Sequence, residues 1–170
     1  MKNIKLIVMD VDGVLTDGKL LIGPNRAEYK SFHVKDGMGI SLARFFGLKI
    51  AWITGRYSEA VHQRADELKI DYLFEGITHK LVPLKKIAEE LHLEMNEIFY
   101  IGDDMNDLPV IRVVGYSAAP NDAVEVVKNE VDFVCSRSGG GGAVREAIDI
   151  LLSKKDNYHA LVEAYIEANG

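Results

Sequence analysis

Lys5-Leu6-Ile7-Val8-Met9-Asp10-Val11-Asp12-Gly13-Val14 is the stretch on which the fold turns. Its apolar, β-branched run has the composition of a strand buried on both faces. The run stops at two carboxylates and a glycine. Open parallel α/β sheets bind their ligands beyond the carboxyl ends of the strands, so Asp10 and Asp12 would stand where chemistry is placed. Like charges this close raise each other's pKa. A divalent cation offsets that cost, and so does a reaction that uses one acid charged and the other neutral. Taken alone, the pair fits an ordinary solvated turn equally well.

Downstream of this run, strand patterns recur at 48–53, 72–74, 98–101, 116–118 and 133–135. Helical periodicity falls near 39–46, 58–68, 80–91, 104–113, 123–128 and 143–153. This alternation predicts an α/β fold with a doubly wound, mainly parallel sheet. Asp122 and Glu125 have capping-box spacing, and Pro83 suits a first helical turn. One segment breaks the alternation. Residues 18–22 and 27–32 read as two strands joined by Gly23-Pro24-Asn25-Arg26, a turn-forming cluster. The expectation is a β-hairpin flap directly after the acidic pair, serving as a cover for the site or as an oligomer contact. Residues 154–170 carry a weak helical pattern that suits packing on this domain or on a neighbour.

The 170 residues suit one α/β domain spanning 1–170. Hydrophobic content of 48% and charged content of 27% are ordinary for a globular protein. A net charge of -6 argues against a nucleic-acid partner, and no basic run suggests a membrane surface. Neither a leader pattern nor a long apolar segment is present, so a cytoplasmic location is expected. Cys135 is the sole cysteine, which excludes an internal disulfide and reads as a small core residue.

Four polar clusters share one placement, each following a predicted strand or opening a helix. They are Asp10/Asp12, Thr54-Gly55-Arg56, Lys80, and Gly102-Asp103-Asp104-Met105-Asn106-Asp107. Carboxylates hold Mg²⁺ through oxygen. A hydroxyl, a backbone N–H and a lysine bind phosphate oxygens, and an aspartate can act as nucleophile. The set supplies a phosphoryl-transfer site. Each piece has a bland reading alone: Thr54 as a strand end, Lys80 as a solvated first-turn residue, 103–107 as a polar loop. Their arrival in order at successive strand ends is what the bland readings do not explain.

In that order these motifs resemble the four motifs of the haloacid dehalogenase superfamily, from about residue 4 to about residue 150. The resemblance implies that Asp10 attacks phosphorus to form an aspartyl-phosphate. Asp12 would protonate the leaving alkoxide and then deprotonate the hydrolytic water. Thr54, Gly55, Lys80 and Asn106 would bind the phosphoryl group. Mg²⁺ would sit on the Asp10 carboxylate, the Asp12 backbone carbonyl and Asp103. Asp104 and Asp107 would orient water, metal and lysine from behind, with Asn106 beside them.

Neither gap between motifs holds a cap domain, so the chain resembles the capless branch. In that branch's sugar-acid phosphatases a hairpin builds a tetramer and a neighbouring subunit covers the site. Gly18-Lys19-Leu20, Lys30-Ser31-Phe32-His33-Val34-Lys35-Asp36-Gly37, Thr54-Gly55-Arg56 and Gly139-Gly140-Gly141-Gly142-Ala143-Val144-Arg145-Glu146 are similar to the 3-deoxy-D-manno-octulosonate 8-phosphate phosphatase family. The implied substrate is an anionic sugar-acid phosphate of the lipopolysaccharide pathway. Arg56 is the first candidate for its carboxylate, through a bidentate fork. Lys30 and Arg145 follow, with Lys35 and Arg137. The glycine run at 139–142 would either cradle an anion with its N–H groups or act as a connector. Two alternatives stay open. One is a nonulosonate 9-phosphate phosphatase. The other is a phospho-aspartate signalling module, which Asp12 and the motif order disfavour.

Overall fold

The computed structural model describes residues 3–155 and 158–169. Positions 1, 2, 156, 157 and 170 of the expected domain and tail lie outside those residues. In chain order, β1 (Leu6–Met9) is followed by the hairpin strands β2 (Leu21–Ile22) and β3 (Glu28–Tyr29). Then come α1 (Val34–Phe45), β4 (Lys49–Ile53), α2 (Glu59–Leu68), β5 (Tyr72–Phe74), α3 (Leu81–Glu90) and β6 (Ile98–Ile101). The chain continues through α4 (Leu108–Ile111), β7 (Tyr116–Ala119), α5 (Glu125–Lys128), β8 (Phe133–Val134), α6 (Ala143–Ser153) and α7 (Tyr158–Asn169).

Six strands form one parallel sheet in the order β5-β4-β1-β6-β7-β8. The chain winds from β1 outward through β4 and β5, then crosses back to β6 and winds the other way. The switch point lies at the carboxyl ends of β1 and β6, where such sheets bind ligands. Period-two alternation divides β1 between two cores. Ile7 and Met9 join Trp52, Phe99 and the apolar faces of α1 and α6. Leu6 and Val8 join Ile53, Tyr100 and α3 residues such as Leu84 and Ile87 on the other side. Both faces of β1 are buried, as its unbroken apolar run predicts.

Several boundaries differ from the sequence reading, each for a local reason. α1 begins at Val34, before the predicted 39, because the His33 ring Nδ1 accepts the Lys35 amide at 3.2 Å and caps the helix. Its first turns lack apolar periodicity because Gly39 replaces a side chain at the crossing with α6. A Cβ there would lie 3.3 Å from the Arg145 Cα. The helix predicted at 104–113 splits into a 3₁₀ turn at Met105–Asp107 and the short α4, since Asp107 turns its carboxylate inward. The Asp122/Glu125 capping box does not form. Val124 is the N-cap of α5, and the Asp122 Oδ1 accepts the Gly139 amide at 2.9 Å instead. The C-terminal helix packs on this domain. The Tyr165 ring meets Phe45 edge-on at 5.2 Å, and Tyr158 lies against Phe46 at 6.3 Å.

The two short hairpin strands pair antiparallel around a 3₁₀ turn at Pro24–Arg26. The hairpin is shorter than the predicted 18–32, and its apolar residues Leu20, Leu21, Ile22 and Tyr29 are exposed.

Candidate active site

The site is built on the loops that leave β1, β4 and β6 and on the first turn of α3. Lys80 is fully buried, which is tenable for an ammonium only with strong partners. Its Nζ lies 2.8 Å from the Asp10 Oδ2 and 2.7 Å from the Asp107 Oδ1. Burial pulls the Lys80 pKa down, but the two carboxylates outweigh it and hold the ammonium above the ordinary lysine value. The lysine is a fixed positive charge at the switch point.

Asp107 spends both oxygens on the fold. Oδ1 also receives the Tyr100 hydroxyl at 2.5 Å, and Oδ2 accepts the Asp103 and Asp104 amides at 2.9 and 3.2 Å. The acidic loop therefore curls around Asp107, and Asp104 caps the turn by accepting the Met105 amide at 2.6 Å. Asp103 is then left facing Asp10. Gly13 makes that approach possible: its φ is +89°, and a Cβ there would stand 2.0 Å from the Asp103 Oδ2.

Asp10, Asp103 and Asp107 each offer an oxygen within 4.8 Å of the others. Burial, opposed by Lys80, raises the Asp10 pKa to about 6. Burial, reinforced by Asp10 and Asp107, raises that of Asp103 to about 8. The cluster holds more negative charge than Lys80 neutralises. The Asp103 Oδ1 is buried with no hydrogen-bond partner, an expensive arrangement unless a cation completes it. The residues thus fit a divalent metal. Each Asp10 oxygen has one partner, the Val11 amide or Lys80, and the Asp103 Oδ1 has none, so both residues keep lone pairs to give, whereas each Asp107 oxygen already has two partners.

Asp12 stands on the opposite lip. Its Oδ1 takes the Lys30 Nζ, and its Oδ2 is buried without a hydrogen bond, 4.0 Å from the Arg56 Nε. Lys30 reaches it from the hairpin and also lies 2.8 Å from the Glu28 Oε1. The other Glu28 oxygen takes the Arg56 Nη2 at 2.7 Å. These two cations hold the Glu28 carboxyl below its usual pKa.

Thr54 is buried at the end of β4. Its backbone bonds Phe74 and Ile77, and its Oγ1 accepts the Arg56 amide at 3.4 Å. A cavity of about 190 Å³ is lined by Asp10, Asp12, Thr54, Gly55, Arg56, Asp103, Asp104 and Asn106. Carboxylates, a hydroxyl, an amide and a guanidinium line it together. That arrangement suits a metal-bridged phosphate.

The comparisons with known proteins agree with this geometry. A family described as haloacid dehalogenase-like hydrolase matches residues 73–148. The 3-deoxy-D-manno-octulosonate 8-phosphate phosphatase KdsC of Escherichia coli K12 is 41% identical over 151 residues, covering 89% of this chain and 80% of that protein. The chain belongs to the haloacid dehalogenase-like hydrolases, in the 3-deoxy-D-manno-octulosonate 8-phosphate phosphatase family. A solved family structure from Moraxella catarrhalis, in complex with magnesium, phosphate and KDO, superposes with a TM-score of 0.92 at 36% identity. It covers 96% of this chain and 94% of its own. The cobalt-bound enzyme of Haemophilus influenzae superposes with a TM-score of 0.86 at 40% identity, covering 89% of each chain.

For this member of the family, the structure brings Asp10, Asp12, Thr54, Gly55, Asp103 and Asn106 to one cavity, with Lys80 and Asp107 directly behind it. Of the substrate-binding candidates, Arg56 lines that cavity and Lys30 touches Asp12. Arg145 does not reach it. It lines a separate cavity with Lys35 and Arg137, because the crossing of α1 and α6 holds it there, and its Nε bonds the Asp149 Oδ2 at 2.8 Å. The glycine run does not form an open anion cradle either. The Gly139, Gly140 and Gly141 amides are taken by the Asp122 side chain and the Val14 and Ser138 carbonyls. Sequence reasoning missed Glu28 and Tyr100. Glu28 sits in an unremarkable strand pattern. Tyr100 reads as a core aromatic, and only its hydroxyl has a polar task.

Proposed function

We propose that this protein hydrolyses 3-deoxy-D-manno-octulosonate 8-phosphate to the free sugar acid and inorganic phosphate through an aspartyl-phosphate on Asp10. The Lys80 bridge carries the reading. A buried ammonium between Asp10 and Asp107 fixes the nucleophile and supplies positive charge where the transferring phosphoryl oxygens gather. The substrate assignment is supported by the relatives of this name and by the KDO-bound structure of one of them.

In the first half-reaction an Asp10 oxygen forms a bond to phosphorus as the bond from phosphorus to the sugar oxygen breaks. Asp12 gives its proton to that oxygen, and the free sugar acid leaves. In the second, Asp12 takes a proton from water, whose oxygen attacks phosphorus. The bond to Asp10 breaks, and phosphate departs. The Asp12 Oδ2, which makes no hydrogen bond, is the oxygen assigned to these transfers. Thr54, Gly55 and Asn106 line the space for the phosphoryl oxygens, and Lys80 neutralises them. Asp104 and Asp107 shape the acidic loop from behind. Asp10, Asp103 and the Asp12 carbonyl would hold Mg²⁺, which when bound neutralises charge on the phosphoryl group and keeps Asp10 ionised.

Arg56 binds the substrate carboxylate in this reading, which is supported by its half-exposed guanidinium in the cavity lining. Lys30 acts closer in, against Asp12. The exposed Leu20, Leu21, Ile22 and Tyr29 support a homotetramer in which one hairpin covers a neighbouring site. The two cores on opposite faces of one sheet support a single domain. No helix among the described residues is long and apolar enough to cross a membrane, and the reading places the enzyme in the cytoplasm.

Phosphate release across a panel of sugar phosphates, with and without Mg²⁺, tests the assignment. The eight-carbon sugar-acid phosphate should give the highest kcat/KM, and chelation should abolish turnover. A higher value for a nine-carbon sugar-acid phosphate would move the chain to the nonulosonate reading.

A further inference from the structure

Three cations offered by the sequence for the substrate gather elsewhere. Lys35, Arg137 and Arg145 line a cavity of about 480 Å³ between the N-terminal ends of α1 and α6, together with His33, Glu146 and Asp149. No residue is shared with the lining of the catalytic cavity.

The acids there are largely spent on the protein. The Glu146 carboxylate accepts the Ser136 amide at 2.9 Å, the Ser136 hydroxyl at 3.0 Å and the Arg137 amide at 3.1 Å. Asp149 gives one oxygen to the Arg145 Nε at 2.8 Å. The helix ends are spent too. The buried Asp36 on α1 accepts the Arg145 amide at 2.8 Å, capping α6 from its neighbour.

The cations are not spent. No ion pair engages Lys35 or Arg137 among the described residues, and Arg145 uses only Nε in its pair. His33 accepts the Lys35 amide on Nδ1, which leaves its proton on Nε2 as a donor. Three cations face the two carboxylates Glu146 and Asp149, and a local excess of positive charge around a concave space, in a protein of net charge -6, is an anion-binding arrangement. One further atom narrows the ligand. The Asp149 Oδ1 makes no hydrogen bond among the described residues and is free to accept one from a donor such as a hydroxyl.

We propose that this cavity is a second ligand site, which takes a hydroxylated small anion such as a polyhydroxy carboxylate or a sugar phosphate. Lys35, Arg137 and Arg145 hold its charged end, and Asp149 accepts one of its hydroxyls. The volume suits a metabolite larger than a lone oxyanion. The site lies one short segment from the catalytic loop, since Gly140 beside it donates to the Val14 carbonyl at 3.1 Å. The inference stands whether or not the octulosonate reading holds, because no catalytic residue takes part.

The test is amide NMR of the full-length, Mg²⁺-loaded protein titrated with inorganic phosphate and, separately, with gluconate. Both should move the Gly141 and Gly142 resonances in a saturable way. Phosphate should also move Gly55 and Asp103, along a separate curve. The double variant Lys35→Gln/Arg137→Gln should weaken the first response by roughly tenfold or more and leave the second in place. Asp149→Asn should weaken gluconate more than phosphate, which separates a hydroxylated ligand from a bare oxyanion. Silence at Gly141 and Gly142 with both probes would overturn the proposal. So would a double variant whose only defect is a raised KM for the catalytic substrate.

Discussion

Asp103 is the residue at which stability and chemistry conflict. Its carboxyl is half-buried, faces Asp10, and leaves one buried oxygen without a hydrogen bond. Asp103→Asn removes the charge and keeps the shape. Turnover should fall by on the order of 10²-fold or more through lost metal affinity, while the metal-free protein melts higher at pH 8 than the wild type. Kinetics beside thermal melts in chelator would check both halves. The conflict was half legible in the sequence. The order of Asp10, Asp12, Thr54, Lys80 and Asp103 points to phosphoryl transfer because each residue type has a task there. The sequence did not show that Asp107 is consumed by Lys80, Tyr100 and two amides. Nor did it show that Glu28 ties Lys30 to Arg56. Those facts depend on side chains meeting across distant elements, and spacing along the chain carries no record of them.

The hairpin is the element whose position the sequence located and whose purpose rests on what covers it. Its strands are too short to be stable as a pair in water, and Leu21 and Ile22 are about two-thirds exposed at 65% and 67%. Burial against other copies would stabilise it at roughly 25 cal/mol per Å² of apolar surface. Sedimentation should therefore show a tetramer, and Leu21→Asp/Ile22→Asp should release smaller species with reduced activity. A fully active wild-type monomer would contradict the flap. Element boundaries were legible where the apolar pattern runs unbroken, as in β6 and α6. They failed where glycine serves packing, as in the first turns of α1, or where a carboxylate is diverted, as Asp122 is to Gly139.

Across the whole molecule, the acid cluster links stability to pH and metal. Asp10 and Asp103 have folded-state pKa values raised to about 6 and about 8. The folded state therefore holds protons that the unfolded chain releases near pH ~4. Their stabilising contribution is present below that pH and is lost as pH rises through 6 and then 8. Metal-free protein should melt progressively lower from pH 5 to pH 8.5. Mg²⁺ should recover more stability at the alkaline end, where protons no longer compete for the carboxylates. Calorimetry with and without chelator checks this, and an equal gain from Mg²⁺ at both pH values would contradict it. Whether Asp10, held by Lys80 beside a bound cation, is the nucleophile is decided by a single assay. It is phosphate release from the eight-carbon sugar-acid phosphate by wild type and Asp10→Asn at saturating Mg²⁺. The variant should fold and its kcat should be lower by on the order of 10³-fold or more; turnover at the wild-type rate would mean that Asp10 is not the nucleophile.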